Sequence, residues 1–333
     1  MITSKHVKHR CLTCFFKQAP MITAFLIVGL IPFSANALDI LLGTGETGTF
    51  SHFTGRTICR MINKYSDDLT CETVPASDEV DTITNLQGGA LDIGLIDSRL
   101  LHDAINKTGY FKFLDINYDN LRTLVPLYDI PVTLVVRRDA KINSLEALKG
   151  KRINAGAPRS LEHLAVDTIM KVKNWSKDDF RLIQELPASQ SQDTMAFCYG
   201  TVEAMVHIGV HPDTSLLQLL NRCNASLANM DDNDIEKLIS GHPALFKTHI
   251  TADTYPSHPK GVATFGTRMT LVASEALDEQ TVYQIIDVIY NNQKRLRGAH
   301  PTLSSFTVRA AQHKDAGIHP HPGAVRFFSE HGL

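Results

Sequence analysis

The chain has 333 residues, 43% of them hydrophobic and 20% charged, with 33 Lys and Arg against 35 Asp and Glu and a formal net charge of -2. At about 150 residues per domain this is a two-domain globular chain, and the composition excludes a disordered, collagenous or coiled-coil protein and a disulfide-only miniprotein. So balanced a charge lacks the clustered cations that a phosphate backbone demands, and no nucleic-acid partner is expected.

Residues 1–37 carry Lys5, Lys8, Arg10 and Lys17 and no acid, and the apolar run from Met21 to Phe33 ends in Ser34-Ala35-Asn36-Ala37. That is the order of parts in a secretory signal peptide cleaved after Ala37. A retained membrane anchor is the other reading, but the run falls short of the roughly 20 residues that span a bilayer. Setting the four cations aside takes the net charge from -2 to -6. The mature protein is therefore expected outside the cytoplasm, in the periplasm. Cys11 and Cys14 leave with the leader, and Cys59, Cys71, Cys198 and Cys223 remain. Short local loops favour Cys59 with Cys71 and Cys198 with Cys223, each stabilising the fold by roughly 3 kcal/mol in the chain-entropy model.

From Leu38 onward strand-length apolar runs alternate with helical periods, the pattern of an α/β protein. Leu38 to Leu42 reads as a strand, Gly43 to Gly48 as a glycine-rich turn, Gly55 to Asn63 as a helix and Leu69 to Val74 as a second strand. Ser77 is expected to cap a helix whose first turn holds Asp78, Glu79 and Asp81, acids that suit the positive end of the helix dipole, and Gly88-Gly89 ends it. Leu91 to Ile96 reads as a buried strand. A second block begins near Pro131, with strands at Val132 to Val136, Ile153 to Ala157 and Val202 to Ile208, a short helix at Ser144 to Leu148 and a longer one from Ser160 to Lys173. Gly261 to Ser274 reads as a returning strand and Glu279 to Arg297 as one long helix. Two α/β units with a late return imply two lobes: residues 38–131 with 264–333, and residues 132–263.

Gly43-Thr44-Gly45-Glu46-Thr47-Gly48 matches the dinucleotide fingerprint G-x-G-x-x-G. Export, and Val74-Pro75-Ala76 where the ribose-binding acid belongs, argue against a nucleotide, and no cofactor is expected. Glycines still bare N–H groups at a helix start, which suits an anion. Pro158-Arg159-Ser160 begins a second helix in the same manner, with Ser160 as cap and Arg159 as a fixed cation; an ordinary capped helix with an exposed arginine is the alternative. Asp97-Ser98-Arg99 reads as a turn at the carboxyl edge of the sheet, where open α/β folds bind ligands. His207 and His211, four apart at a strand end, have no third ligand at diagnostic spacing, so no metal is expected. Motifs of hydrolases, zinc peptidases and phosphate loops are missing from the chain, and no enzyme is expected.

Several segments together resemble the TAXI family, the TRAP-associated extracytoplasmic immunogenic proteins that serve tripartite ATP-independent periplasmic transporters. They are Gly43-Thr44-Gly45, Thr54-Gly55, Ile58-Cys59-Arg60, Leu91-Asp92-Ile93-Gly94, Leu148-Lys149-Gly150-Lys151-Arg152, Trp175-Ser176-Lys177-Asp178-Asp179-Phe180, Ala204-Met205-Val206, His211-Pro212 and His321-Pro322-Gly323-Ala324-Val325. The last of these, with the two cysteine pairs, is the most specific. The resemblance implies a type II periplasmic-binding-protein-like α/β fold, two lobes with a hinge and an interlobe ligand cleft. It implies a monomer that delivers glutamate, glutamine or a related dicarboxylate to membrane permease subunits, and it supports the local disulfides. An orphan periplasmic sensor signalling through a receptor is the alternative.

This chain departs from the family where the ligand binds. Phe50-Ser51-His52-Phe53 replaces a tyrosine-rich stretch, Asp97-Ser98-Arg99 replaces Gln-Ser-Asp, Arg159-Ser160-Leu161-Glu162 replaces Gly-Ser-Gly-Gln, and His207 replaces a strand-end tyrosine. Only Ser98 and Ser160 carry over directly. The expected site is thus more charged and pH-sensitive through His52 or His207. Backbone N–H groups near Thr47 and Gly48, the Ser98 and Ser160 hydroxyls, and Arg99 and Arg159 are expected to hold carboxylates. Glu46, Asp97 or Glu162 is placed to pair with an ammonium group, and Phe50 to pack on the ligand's apolar part.

Overall fold

The computed structural model describes residues 37–187, 192–258, 260–308 and 318–333; all of the expected leader but Ala37, including Cys11 and Cys14, lies outside them. β1 (Leu38–Thr44) leads into α1 (Phe50–Tyr65), β2 (Leu69–Pro75), α2 (Glu79–Gln87), β3 (Ile93–Asp97) and α3 (Ser98–Asn106). β1 pairs in parallel with β2 on one side and β3 on the other. α1 starts earlier than the expected Gly55, because Thr49 caps it by accepting the His52 N–H at 3.3 Å. Gly55 lies inside the helix rather than at its start. A Cβ there would come within 2.5 Å of Thr44 Cγ2, so glycine lets α1 lie close on β1. Asp78, not the expected Ser77, caps α2 by accepting the Asp81 N–H at 2.8 Å, while the Ser77 hydroxyl bonds to the Asp81 carboxylate.

The next strand, β4 (Leu121–Arg137), is far longer than the expected Val132 to Val136. It is followed by β5 (Arg152–Asn154), α4 (Leu161–Lys173), β6 (Leu182–Gln184), α5 (Gln192–Cys198), β7 (Ala204–Ile208), α6 (Thr214–Arg222), β8 (Ala225–Ala228), α7 (Asn233–Gly241), β9 (Phe246–Ile250) and β10 (Val262–Ser274). α8 (Glu279–Asn291), α9 (Gln293–Ala299) and α10 (Pro322–Glu330) complete the described elements. Asn292 leaves helical geometry at φ -113° and ψ 14°, which divides the single helix expected over Glu279 to Arg297 into α8 and α9.

The strands run in the order β2-β1-β3-β10-β4-β7-β5-β6. β4 joins the two parts of this sheet. Its residues 121–131 pair antiparallel with β10, and residues 132–137 pair with β7 and β8. At the changeover Gly266 faces Pro131, and a Cβ on Gly266 would stand 2.3 Å from the Ile130 carbonyl oxygen. Only a residue without a side chain allows the two backbones to approach so closely.

Separate apolar clusters stabilise the two parts. One gathers Leu42, Ile58 and Ile62 with Leu271, Ile285, Ile289 and Phe327; another gathers Leu134 of β4 with Ile153, Val166, Trp175 and Phe180. Cys59 on α1 is paired with Cys71 on β2, and Cys198 at the end of α5 with Cys223 after α6, the two local pairings expected. Lys173, with only 4% of its side chain exposed, binds Glu146 at 2.5 Å and Asp232 and Asp234 at 3.0 Å each, fastening α4 to α7.

Candidate ligand-binding cleft

Three helix starts meet beside the β4–β10 changeover: those of α2 and α3, which follow the carboxyl ends of β2 and β3, and that of α4, which follows β5. Between them lies a cavity of about 350 Å³ lined by Asp78, Glu79, Asp97, Arg99, Leu161 and Leu164, among others. A smaller cavity of about 70 Å³ adjoins it, sharing Asp97, Arg99 and Leu161 and reaching Thr267 and His242. Apolar walls with a few convergent charges are the usual make-up of a small-molecule site.

The polar groups of the first part are largely committed to one another. Asp97 caps α3, accepting the Arg99 N–H at 2.8 Å and the Leu100 N–H at 3.4 Å, and it accepts the Thr267 hydroxyl as well. The Asp97 N–H in turn donates to Glu79 Oε2 at 3.0 Å. Burial, then the negative charge of Asp97, push the Glu79 carboxyl up to about 8, against the lowering effect of that one hydrogen bond. Burial also raises Asp97, opposed by the Thr267 hydroxyl, the two helix N–H groups and Arg99. Tyr128 is held well above its ordinary value, first by burial and then by Glu79.

Ser98 is fully buried, and its hydroxyl donates to the Ala244 carbonyl at 2.9 Å and accepts the Arg268 N–H at 3.0 Å. Those two bonds tie α3 to β10 and to the turn before β9. The expected ligand hydroxyl is thus spent inside the fold. Ser160 caps α4 by accepting the His163 N–H at 3.2 Å. Arg159 is exposed, in the left-handed region at φ 72°, and its carbonyl accepts the Tyr110 hydroxyl at 2.5 Å. That bond joins the segment after α3 to the start of α4 across the larger cavity's rim. Leu161, 54% exposed, faces both cavities.

The remaining expected residues stand elsewhere and line neither of these two cavities. Glu46, Thr47 and Gly48 form an exposed turn before α1. Phe50 packs its ring 4.8 Å from Tyr128 and 4.7 Å from His300. His52 is buried, with Nδ1 3.0 Å from the Thr44 hydroxyl oxygen. Glu162 is half-buried in the first turn of α4. His207, at the end of β7, has a buried Nε2 with no hydrogen-bond partner among the described residues. Desolvation lowers its pKa, against weak support from Asp213 and Glu162, so the pH sensitivity expected of His207 moves to the acid side of its ordinary range.

Sequence reasoning missed Glu79, Tyr110, Leu164, Thr267 and His242 as cavity residues. Glu79 was within reach, since the rule that singled out Asp97, a polar group just past a strand's carboxyl end, applies equally to the residue that opens α2. The other four come together only through the packing of α3, α4, α7 and β10.

Among solved structures, the chain is similar to a TctC solute binding protein from Polaromonas, with a TM-score of 0.56 at 14% identity, covering 79% of this chain and 88% of that one. It is also similar to the periplasmic aliphatic sulphonate binding protein SsuA from Escherichia coli, with a TM-score of 0.49 at 12% identity, covering 87% and 78% of the two chains. The fold is that of the TctC binding protein, a mixed α/β arrangement of two lobes around a central sheet. A family model described as the NMT1-like family matches residues 42–332, and the chain belongs to that family.

Proposed function

We propose that this protein is an exported, monomeric solute-binding protein of TAXI type, which captures a small organic anion or amino acid of the glutamate, glutamine or dicarboxylate kind and presents it to the permease subunits of a TRAP-type transporter. It performs no chemistry on the solute. The lobes of this reading are residues 38–131 with 264–333, and residues 132–263, joined through β4 and β10. The observation that carries it is the 350 Å³ cavity at the three helix starts, where Arg99 stands beside carboxyl groups and the aliphatic side chains of Leu161 and Leu164. Arg99 would hold a carboxylate by charge-assisted bonds, Asp97 an ammonium group, and the leucines the carbon chain. Closure of the lobes would be the output that the permease reads.

Differential scanning fluorimetry against amino acids and dicarboxylates tests this directly. A ligand at about 100 times its Kd stabilises the folded state by about 2.7 kcal/mol, enough for a clear rise in Tm. No shift with any compound at millimolar concentration, in a protein that melts cooperatively, would overturn the reading.

A further inference from the structure

We propose that Glu79 and Asp97 form an amine-capturing subsite that carries a proton while empty and surrenders it when a cationic ammonium group enters. The inference deepens the solute-binding reading and rests on it. Glu79 accepts a single hydrogen bond, from the Asp97 N–H to Oε2, and no donor among the described residues reaches its other oxygen, on a side chain that lines the cavity. Neither lysine nor arginine pairs with it among the described residues. Asp97 is better supplied, but its oxygens are engaged by the Arg99 and Leu100 N–H groups and the Thr267 hydroxyl. The Asp97 charge and the loss of solvent both make Glu79 costly to ionise, and no cation beside Glu79 offsets that among the described residues.

The surrounding groups leave that cation to come from outside. α2 adds Asp78, which already caps its own helix, and α3 adds Arg99 and Asp103. β4 presents Tyr128, which burial keeps protonated, and β10 presents the neutral Thr267. The turn after α7 presents His242, whose charged form is disfavoured by burial and then by His102 and Arg99. α4 contributes Leu161 and Leu164, which carry no charge. Among the described residues Arg99 is the one fixed cation lining either cavity, and it stands on the Asp97 side. An entering ammonium group keeps its own protons and replaces the acid proton, which passes to solvent; the wall changes from a neutral acid to a carboxylate–ammonium pair.

Capture then strengthens as pH rises toward the Glu79 pKa, by up to about tenfold per unit while one proton is released per ligand. The test is isothermal titration calorimetry at about pH 6 and about pH 8.5, in buffers of different ionisation enthalpy, with L-glutamine, L-glutamate and L-lysine set against the deaminated control glutarate. The expected result is amine compounds binding at least about tenfold more tightly at the higher pH and releasing close to one proton per ligand at about pH 6, no such gain for glutarate, and loss of both gain and release in Glu79→Gln. Proton release by the unmodified protein keeps the test decisive if Glu79→Gln fails to fold. Glutarate binding as tightly as its amine counterparts, or amine binding with no proton released, overturns the subsite and leaves solute capture standing. Failure of every compound to bind overturns both.

Discussion

Two clusters of charge in this molecule differ in one respect that separates structure from function. Lys173 is buried beneath three carboxylates, those of Glu146, Asp232 and Asp234; burial would lower its pKa, but the hydrogen bonds to the three acids together outweigh it and the pKa is raised. Glu79 is half-buried in a cavity wall beside another acid, and no cation is set against it among the described residues. The first cluster is complete without a ligand and fastens two helices. The second is incomplete, faces a cavity and costs the empty protein stability. On the proposed reading, an entering ammonium group supplies the charge that the fold omits.

The comparison can be broken by mutation. Lys173→Ala removes the buried cation from the first cluster and should lower stability by about 2–3 kcal/mol, at the lower end for buried pairs because the three carboxylates keep contact with water. Chemical denaturation measures it. Ser98→Ala should cost about 2 kcal/mol by removing the hydroxyl that bridges the Ala244 carbonyl and the Arg268 N–H. If Ser98 were a ligand contact instead, calorimetry would show lost affinity with stability unchanged.

The second cluster should respond with the opposite sign. Glu79 has a folded pKa of about 8, above that of an exposed carboxyl, so the folded state retains a proton that the unfolded state has lost. Its contribution to stability is present at low pH and is lost as pH rises from the ordinary carboxylate range through about 8. The Tm of the ligand-free protein should therefore fall over that interval, and Glu79→Gln should flatten the fall. Tyr110→Phe should have the smallest effect, about 1 kcal/mol, from loss of the hydroxyl that spans from the segment after α3 to the Arg159 carbonyl. Its expected signature is a faster ligand off-rate in stopped-flow fluorescence beside a fall in Tm of no more than a few degrees.

Much of the fold was legible because local rules decide it. Alternating apolar runs placed β1, β2 and β3, the short loops between cysteines anticipated both pairings, and Gly88 ended α2 where expected. The misses have local causes too. Thr49 caps α1 ahead of a glycine that read as a helix boundary, and Asp97-Ser98-Arg99 read as a turn although Asp97 is a strong cap. β4 was seen only in its last third, since Pro126 and Pro131 punctuate a strand whose partner, β10, lies far along the chain.

The site was less legible, for a physical reason. Sequence by itself determined the α/β class, the cap residues and the candidate polar groups at strand ends, because those depend on neighbours within a few positions. Only the tertiary structure decided which of those groups remained available. Ser98 was consumed by Ala244 and Arg268, both distant in the chain, while Glu79 was brought against Asp97 and left without a cation among the described residues. Desolvation and pairing depend on every atom nearby, and that set exists only once the chain has folded.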